Sequence, residues 1–276
     1  MAPDEEVVRS RSNPLFKRLR ALKERGVGPE GGLCLLEGPK LVEEALAAGV
    51  TIAEAAATRR ADERPLATTV VDELRARGVP VRLLDDRLLA ALSDAETTQG
   101  LVALAHRPAS DEARLFEGTP LILVAVGIQN PGNLGGLLRT AEAAGATGAC
   151  LVEGCADPFS WKALRGSMGS AFRLPLIEGP RAGPILDRFE ERGIRILATA
   201  TDGETRYDEV DLAAPVGLVF GSEASGLAED VARRAAARLR IPLASPVESL
   251  NVGVAAGLVL FEAARQRGFT AGGGER

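Results

Sequence analysis

The sequence has few residues that bind metals or carry familiar acid–base chemistry. Its 276 residues include three cysteines and one histidine. Because Cys34, Cys150, Cys155 and His106 are widely spaced and fit no zinc-ligand pattern, we expect neither a metal site nor a disulfide framework. We interpret the cysteines as small buried or half-buried hydrophobic residues. A single histidine, with no G-x-S-x-G turn ahead of a helix, also argues against a Ser-His-Asp hydrolase.

Long apolar runs are absent as well. No run approaches the roughly 18 apolar residues that a membrane-spanning helix needs. Residues 1–6 are acidic and lack the apolar core of a signal peptide. The remaining composition, 46% apolar and 26% charged, is ordinary for a soluble globular protein. We therefore expect a cytoplasmic protein that makes no contact with a membrane.

Helix and strand patterns alternate through both halves of the chain. A chain of this length usually forms two domains, and a polar stretch that includes Pro108, Gly118 and Pro120 separates the halves. The sequence predicts a smaller α/β domain at 1–107, a linker at 108–119 and a second α/β domain at 120–276. In the second domain, the alternation predicts a mainly parallel sheet with helices on both faces.

Basic residues are concentrated near the start of the chain, although the net charge is −5. The segment also fits an amphipathic helix, with Asn13 as N-cap and Gly26 as C-cap. If its apolar face docks, its basic face stays free to follow the phosphates of a nucleic acid. Between residues 9 and 25, seven basic residues accompany a single acidic one, Glu24: Arg9, Arg11, Lys17, Arg18, Arg20, Lys23 and Arg25.

A glycine-rich turn follows the apolar run 121–126, which is typical of a buried strand. Pro131 fixes one backbone dihedral, and three nearby glycines allow a sharp turn and the close approach of a ligand. We place Asn133 at the N-cap of the helix that follows, whose free N–H groups favour an anion. Helical spacing predicts a buried leucine face and puts Arg139 on the opposite side, with Asn133.

Two further loops carry polar side chains beyond the ends of predicted strands. One, 220–227, places Glu223 between glycines, and the other, 241–254, places Ser249 and Asn251 at a helix start. Taken singly, each residue has a simpler interpretation. Glu223 could do no more than complement a helix dipole, and Ser249 no more than cap a helix. Arg139 could be a solvated surface residue. Because ligands of open α/β sheets bind beyond the carboxyl ends of the strands, the three loops together favour one site.

The three loops resemble, in order, three motifs of the SpoU family of RNA 2′-O-ribose methyltransferases, in the SPOUT or α/β-knot superfamily. The matching residues are 130–141, 220–227, 241–243 and 248–254, and the likeness covers about 121–267. The first half is similar to the family's L30e-like substrate-binding domain, through 13–14, 36–38 and 99–103. The resemblance implies a deep trefoil knot in the C-terminal domain, S-adenosylmethionine as cofactor, and a homodimer formed through that domain.

The resemblance also implies roles for individual residues. Because a guanidinium stays protonated, our hypothesis is that Arg139 clamps a phosphate and stabilises the developing 2′-alkoxide. Glu223, Ser249 or a phosphate oxygen then assists the loss of the proton. The implied catalytic and substrate-binding set is Asn133, Arg139, Glu223, Ser249 and Asn251. The implied cofactor-binding set, acting mainly through the backbone, is Thr199, Ala200, Gly221, Ile241, Leu243 and Leu250.

The stretch 161–173 is a further likeness to the family. Its glycines and serines suit a backbone nest for a phosphate, and the alternative is a surface loop at a helix end. Three roles stay open for Trp161: a core residue, a dimer contact or a platform on which a base stacks. With the basic segment, the stretch supplies the predicted RNA-binding residues: Arg9, Arg11, Lys17, Arg18, Arg165 and Ser167.

Other functions of an α/β sheet fit less well. The first loop is not the G-x-G-x-x-G of nicotinamide enzymes, and the sequence has no P-loop motif. A catalytically silent RNA-binding homologue stays open as an alternative. For an active enzyme we expect ribosomal RNA first, because L30e-like domains resemble modules that grip structured RNA. Transfer RNA is second, and a methylation that confers antibiotic resistance is a third alternative.

Overall fold

The computed structural model of the chain describes residues 7–25, 32–93, 98–152, 154–179, 181–222, 227 and 229–268. The chain forms two compact units. Unit 1 contains Met1–Ala109 and Asp157–Arg173, and unit 2 contains Ser110–Ala156 and Leu174–Arg276. The domain boundaries expected from the sequence stay a prediction.

The first part of unit 1 forms a mixed sheet with helices. Its elements in chain order are β1 (Val7–Val8), α1 (Pro14–Arg25), β2 (Leu33–Glu37), α2 (Pro39–Ala47), β3 (Ile52–Ala57), a 3-10 helix (Arg59–Glu63), α3 (Pro65–Ala76), β4 (Val81–Leu84), α4 (Asp86–Leu92) and β5 (Leu101–His106). The strand order is β1-β4-β3-β5-β2, and β5 runs antiparallel to both of its neighbours. The other pairs in this sheet are parallel.

Helix α1 forms as its sequence predicts. The Asn13 side chain accepts a hydrogen bond from the Leu15 N–H at 2.9 Å, which caps the helix. Leu15, Leu19 and Leu22 are buried, while Lys17 and Arg20 are exposed and Arg18 and Lys23 are half-buried. The predicted C-cap, Gly26, lies outside the described residues.

Unit 2 repeats the alternation around a seven-stranded sheet. Its 3-10 helix (Glu112–Phe116), within the predicted linker, buries Leu115 completely. The next elements of unit 2 are β6 (Leu121–Ala125), α5 (Pro131–Ala143) and β7 (Gly148–Leu151). The chain then forms α6 (Trp161–Ser167) and α7 (Ser170–Arg173), which belong to unit 1. Unit 2 continues with β8 (Leu176–Glu178), α8 (Ala182–Glu191), β9 (Arg195–Thr199), β10 (Thr205–Arg206), β11 (Val216–Phe220), α9 (Glu229–Arg234), β12 (Ala237–Arg240) and α10 (Val252–Gln266).

All the strand pairs of this sheet are parallel, in the order β10-β12-β9-β11-β6-β7-β8. The prediction of a mainly parallel sheet is confirmed. Strands β6 and β11 are buried at every residue, as expected when helices cover both faces. The trefoil knot implied by the family resemblance stays a prediction.

The end of α10 is tied to the rest of unit 2 by two polar side chains. Arg267, the residue after the helix, donates hydrogen bonds of 2.7 to 3.0 Å to four backbone carbonyls, those of Thr119, Pro120, Leu212 and Ala214. The Gln266 side chain accepts from the Leu212 N–H at 2.7 Å. Among the described residues, no helix is both long and apolar enough to cross a bilayer.

Candidate active site

The carboxyl ends of β12, β9, β11 and β6 lie side by side in the sheet of unit 2. A parallel sheet brings the loops after these strands to one edge, which is where open α/β sheets bind ligands. The three loops singled out in the sequence follow β6, β11 and β12. The fold therefore places them at one edge, as predicted.

A cavity of about 430 Å³ opens at this edge. Its wall is formed by the ends of β9, β11 and β12, by the loop after β12, and by the first turn of α10. Its volume lies within the range of roughly 300–1,000 Å³ that is typical of small-molecule sites. All six residues predicted to bind a cofactor line it: Thr199, Ala200, Gly221, Ile241, Leu243 and Leu250.

The wall is mainly apolar, and a few polar residues also line it. The apolar lining includes Phe220, Leu227 and Leu239. The polar lining includes Ser249, which lies just before the start of α10. The Thr199 hydroxyl is already bonded within the sheet, donating to the Val219 carbonyl at 3.0 Å. A ligand with a flat apolar part and a few polar atoms suits such a wall.

Sequence reasoning missed an ion pair in this wall. The Arg238 guanidinium hydrogen-bonds the Asp202 carboxylate, and this bond holds the pKa of Asp202 below its usual range. Gly203, the next residue, packs against the backbone of β12 so closely that a Cβ would lie 2.7 Å from the Arg238 carbonyl oxygen. Asp202 and Arg238 are 36 positions apart in the sequence, and the parallel pairing of β9 with β12 brings them together.

Two asparagines meet beside the helix starts. The Asn251 Nδ2 donates to the Asn133 Oδ1 at 3.3 Å, while its own Oδ1 accepts from the Gly253 N–H at 2.9 Å and caps α10. The prediction that Asn133 is the N-cap of α5 was wrong. Asn130 is the N-cap, because its Oδ1 accepts from the N–H groups of residues 132 and 133. The signal that could have found it is Pro131, which favours the first helical position.

Arg139 lies on α5, the helix that packs against α10. The opposite side of α5 is buried, with Leu134, Leu137 and Leu138 completely covered, so the predicted two-sided helix is confirmed. Arg139 itself is exposed, and within the described part of the chain no acidic residue forms an ion pair with it. Ser249 is exposed too, and the fifth predicted residue of this set, Glu223, lies outside the described residues.

Comparison with known proteins identifies the family to which this fold belongs. Residues 120–261, just over half of the chain, match the SpoU rRNA Methylase family. The chain belongs to the SpoU rRNA methylase family. Residues 13–103 match the MRM3-like substrate binding domain. The resemblance drawn from the sequence motifs is thereby confirmed.

Several relatives of this family member match nearly end to end. An uncharacterized tRNA/rRNA methyltransferase of Synechocystis is 36% identical, with 94% of each chain covered. The 23S rRNA (guanosine(2553)-2′-O)-methyltransferase RlmP of Bacillus subtilis is 31% identical, over 89% of this chain and 93% of that protein. The crystal structure of the AdoMet-bound rRNA methyltransferase from Sinorhizobium meliloti matches with a TM-score of 0.81 and 32% sequence identity. The match covers 94% of this chain and 97% of that chain.

The predicted RNA-binding residues of this SpoU methylase lie in unit 1. Arg9, Arg11 and Lys17 are exposed, whereas Arg18 is bonded to Glu54 at 2.9 Å. Arg165 is exposed on α6 and lies over the Trp161 ring. Ser167 is completely buried and its hydroxyl donates to the Leu164 carbonyl, so the residue offers no exposed surface to a ligand in this structure. Their part in RNA binding stays a prediction.

The cysteines of the family member are buried or half-buried thiols, as predicted. Burial raises the pKa of Cys34 and of Cys150 to about 12, and also raises that of Cys155. A raised pKa keeps a thiol protonated, and a protonated thiol is a poor nucleophile and a poor metal ligand. Within the ranges that the structure describes, no group of three or more His, Cys, Asp or Glu side chains is placed to hold a metal ion.

Proposed function

We propose that this protein transfers a methyl group from S-adenosylmethionine to a ribose 2′-hydroxyl of ribosomal RNA. The observation that carries the proposal is the cavity at the sheet edge, because three separate family motifs form its wall and its neighbourhood. The Bacillus subtilis relative is named for 2′-O-methylation of 23S rRNA, and the Sinorhizobium meliloti relative is an rRNA methyltransferase with AdoMet bound. A substrate in the ribosome agrees with the predicted cytoplasmic location.

The cavity fits S-adenosylmethionine. Gly221, Ile241 and Leu250, for which the family resemblance implies backbone contacts to the cofactor, line its wall, and Phe220 and Leu239 add apolar residues that suit an adenine ring. The six lining residues predicted from the sequence are the ones that would hold the cofactor. When bound, it supplies a methyl group on a sulfonium cation, which is a good electrophile.

The protein's own residues must then orient the ribose and manage its proton. Asn251 hydrogen-bonds both Asn133 and the Gly253 N–H at the start of α10, so the two side-chain amides lie together beside the cavity. Arg139 is permanently charged and cannot act as the base. It clamps the adjacent phosphate and stabilises the developing 2′-alkoxide, and the proton passes to Glu223, Ser249 or a phosphate oxygen.

The test of the function is transfer of labelled methyl from S-adenosylmethionine to RNA from cells that lack this protein. Purified ribosomal RNA and transfer RNA are offered separately, and each methylated nucleoside is identified after digestion. We expect label in one 2′-O-methylated nucleoside of 23S rRNA. Label in transfer RNA would instead select the second substrate class. If no RNA accepts label and calorimetry detects no cofactor binding, the silent RNA-binding alternative is correct.

We also propose that the protein is a homodimer through unit 2. The outer face of α10 carries three large apolar side chains at helical spacing: Val254, Leu258 and Phe261, exposed by 54%, 38% and 47%. An apolar stripe of this kind marks an interaction surface. Asn251 precedes it by one turn, so a second copy seated on the stripe lies beside the site and can complete it.

Charging the stripe should split the dimer. We expect the wild type to have twice the mass of one chain by light scattering, and Phe261→Glu to have the mass of one chain and little methyl transfer. Leu66→Glu is the matched control, because Leu66 is an exposed leucine on α3 of unit 1, and it should change neither. A monomeric wild type that is fully active would contradict the proposal.

A further inference from the structure

On its way from β9 to β10, the chain crosses over strand β12. Both strands run parallel to β12, and the sheet order β10-β12-β9 places one on each side of it. Thr199 of β9 and Thr205 of β10 pair with the same residue of β12, Leu239. Residues 200–204, which we call the crossing segment, therefore pass from one side of Leu239 to the other. Connections between parallel strands usually take about a dozen residues or more, so this crossing is tight.

Gly203 is the residue of the crossing segment that lies directly on β12. A Cβ at this position would be 2.7 Å from the carbonyl oxygen of Arg238 and 2.8 Å from the backbone nitrogen of Arg240. Real Cβ atoms essentially never come this close to another heavy atom. The two neighbouring atoms belong to the backbone of a strand that is paired on both sides, so they cannot turn aside as a side chain would. A larger residue at position 203 must therefore lift the crossing segment off the strand.

Two further contacts hold the crossing segment against β12. The Ala200 N–H donates a hydrogen bond of 2.9 Å to the Leu239 carbonyl. The Asp202 carboxylate accepts a hydrogen bond from the Arg238 guanidinium. The side chains of Asp202 and Arg238 are 73% and 36% exposed, and water weakens an ion pair of this kind. The ion pair should thus contribute less to the position of the segment than the backbone contacts do.

The crossing segment and the strand beneath it both belong to the wall of the cavity. Ala200, Thr201 and Asp202 line the cavity from the segment, and Arg238 and Leu239 line it from β12. Gly203 is buried where the segment meets the strand. The height of the segment above the strand therefore sets the shape of this part of the cavity.

We infer that Gly203 and the Asp202–Arg238 pair are positioning residues for the cofactor, because they fix how far the crossing segment stands from β12. The inference rests on the proposed function, which makes S-adenosylmethionine the ligand of the cavity. These residues act through the wall rather than on the reacting atoms, which the proposed mechanism places beside α5 and α10. Lifting the segment should weaken cofactor binding and leave the transfer step itself unchanged.

Adding one methyl group at position 203 tests the inference most directly. We expect Gly203→Ala to raise the dissociation constant of S-adenosylmethionine, measured by calorimetry, by on the order of tenfold, as overpacking of a tight contact does. At saturating cofactor, the single-turnover rate of methyl transfer to rRNA should stay within about twofold of the wild-type rate. The matched control is Gly183→Ala on α8, where a Cβ would have no neighbouring atom within 4 Å. Its dissociation constant should equal that of the wild type.

The ion pair is tested without added bulk by Asp202→Ala and Arg238→Ala. Each variant should raise the dissociation constant of S-adenosylmethionine by about threefold, the effect of an exposed ion pair. The double variant should lose no more than either single one, because both changes break the same contact. The product S-adenosylhomocysteine lacks the sulfonium charge, so a positioning effect weakens the binding of both ligands equally. A loss confined to S-adenosylmethionine would show direct attraction by Asp202 and would overturn the positioning role of the pair.

The outcomes separate this inference from the function on which it rests. If the wild type does not bind S-adenosylmethionine, the proposed function fails and the inference fails with it. If the wild type binds and Gly203→Ala binds equally well, the function stands and the inference is wrong. A lower urea midpoint by circular dichroism, with an unchanged dissociation constant, would show a purely structural role for Gly203 and would also overturn it. If Gly203→Ala does not fold, unchanged cofactor affinity in both ion-pair variants decides against the inference.

Discussion

Replacing Arg139 with alanine should slow methyl transfer by on the order of a hundred- to a thousandfold, the effect of removing one donor to a developing oxyanion. The guanidinium is exposed on α5, on the side opposite the buried leucines, and we propose that it acts on the RNA rather than on the fold. The affinity for S-adenosylmethionine should therefore stay within about twofold, since no cavity-lining contact is lost. Single-turnover transfer and calorimetry measure the two quantities on the same samples.

A lysine at position 139 is the informative companion. It keeps the positive charge but loses the planar fork that can hold a phosphate with two hydrogen bonds. Arg139→Lys should thus recover only part of the rate. Our assignment is wrong if the alanine variant transfers methyl within about threefold of the wild-type rate while binding RNA and cofactor normally.

Replacing Arg267 with alanine should lower the free energy of unfolding of unit 2 by about 3 kcal/mol. Each hydrogen bond to a charged group contributes about 1.5–3 kcal/mol, but water replaces part of the lost bonds in the variant. Four carbonyls from two segments lose the guanidinium donor at once, and among the described residues only that of Pro120 keeps a backbone donor, the Val216 N–H. Arg265→Ala is the matched control two residues earlier. Arg265 is an exposed arginine paired with Glu262, and its loss should cost less than about 1 kcal/mol.

The single tryptophan makes this prediction specific to one unit. Trp161 lies in unit 1, so its fluorescence follows that unit, whereas circular dichroism follows both. In urea, Arg267→Ala should lower the midpoint of the circular dichroism transition of unit 2 and leave the fluorescence midpoint unchanged. Equal shifts for Arg267→Ala and Arg265→Ala would show that the four-carbonyl contact adds nothing.

The sequence by itself determined the order and type of the main elements. Buried parallel strands are nearly continuous apolar runs, and helices show a 3.6-residue period, so β6, α5, β11 and α10 were recognisable from local pattern. Polar loops after such strands must share an edge in a parallel sheet, so the position of the site follows from the pattern, whereas the six residues of the cofactor wall follow from the family resemblance.

The helix caps show where local pattern is ambiguous. Asn130 and Asn133 are both suitable cap residues, and three positions separate them. The start of α5 at Pro131 selects Asn130 as the cap, and the side chain of Asn133 accepts a hydrogen bond from Asn251 instead. That contact joins residues 118 positions apart, and its geometry depends on the packing of α5 against α10.

Only the tertiary structure decided the contacts between distant segments. The pairing of β9 with β12 placed Asp202 beside Arg238 in the cavity wall, and the packing of α6 on β2 placed Arg165 and Lys23 over the same ring. Neither contact leaves a periodic signal, since each joins elements whose own patterns are complete without it. The physical reason is that periodicity records which face of an element is buried, whereas the partner on that face is chosen by topology.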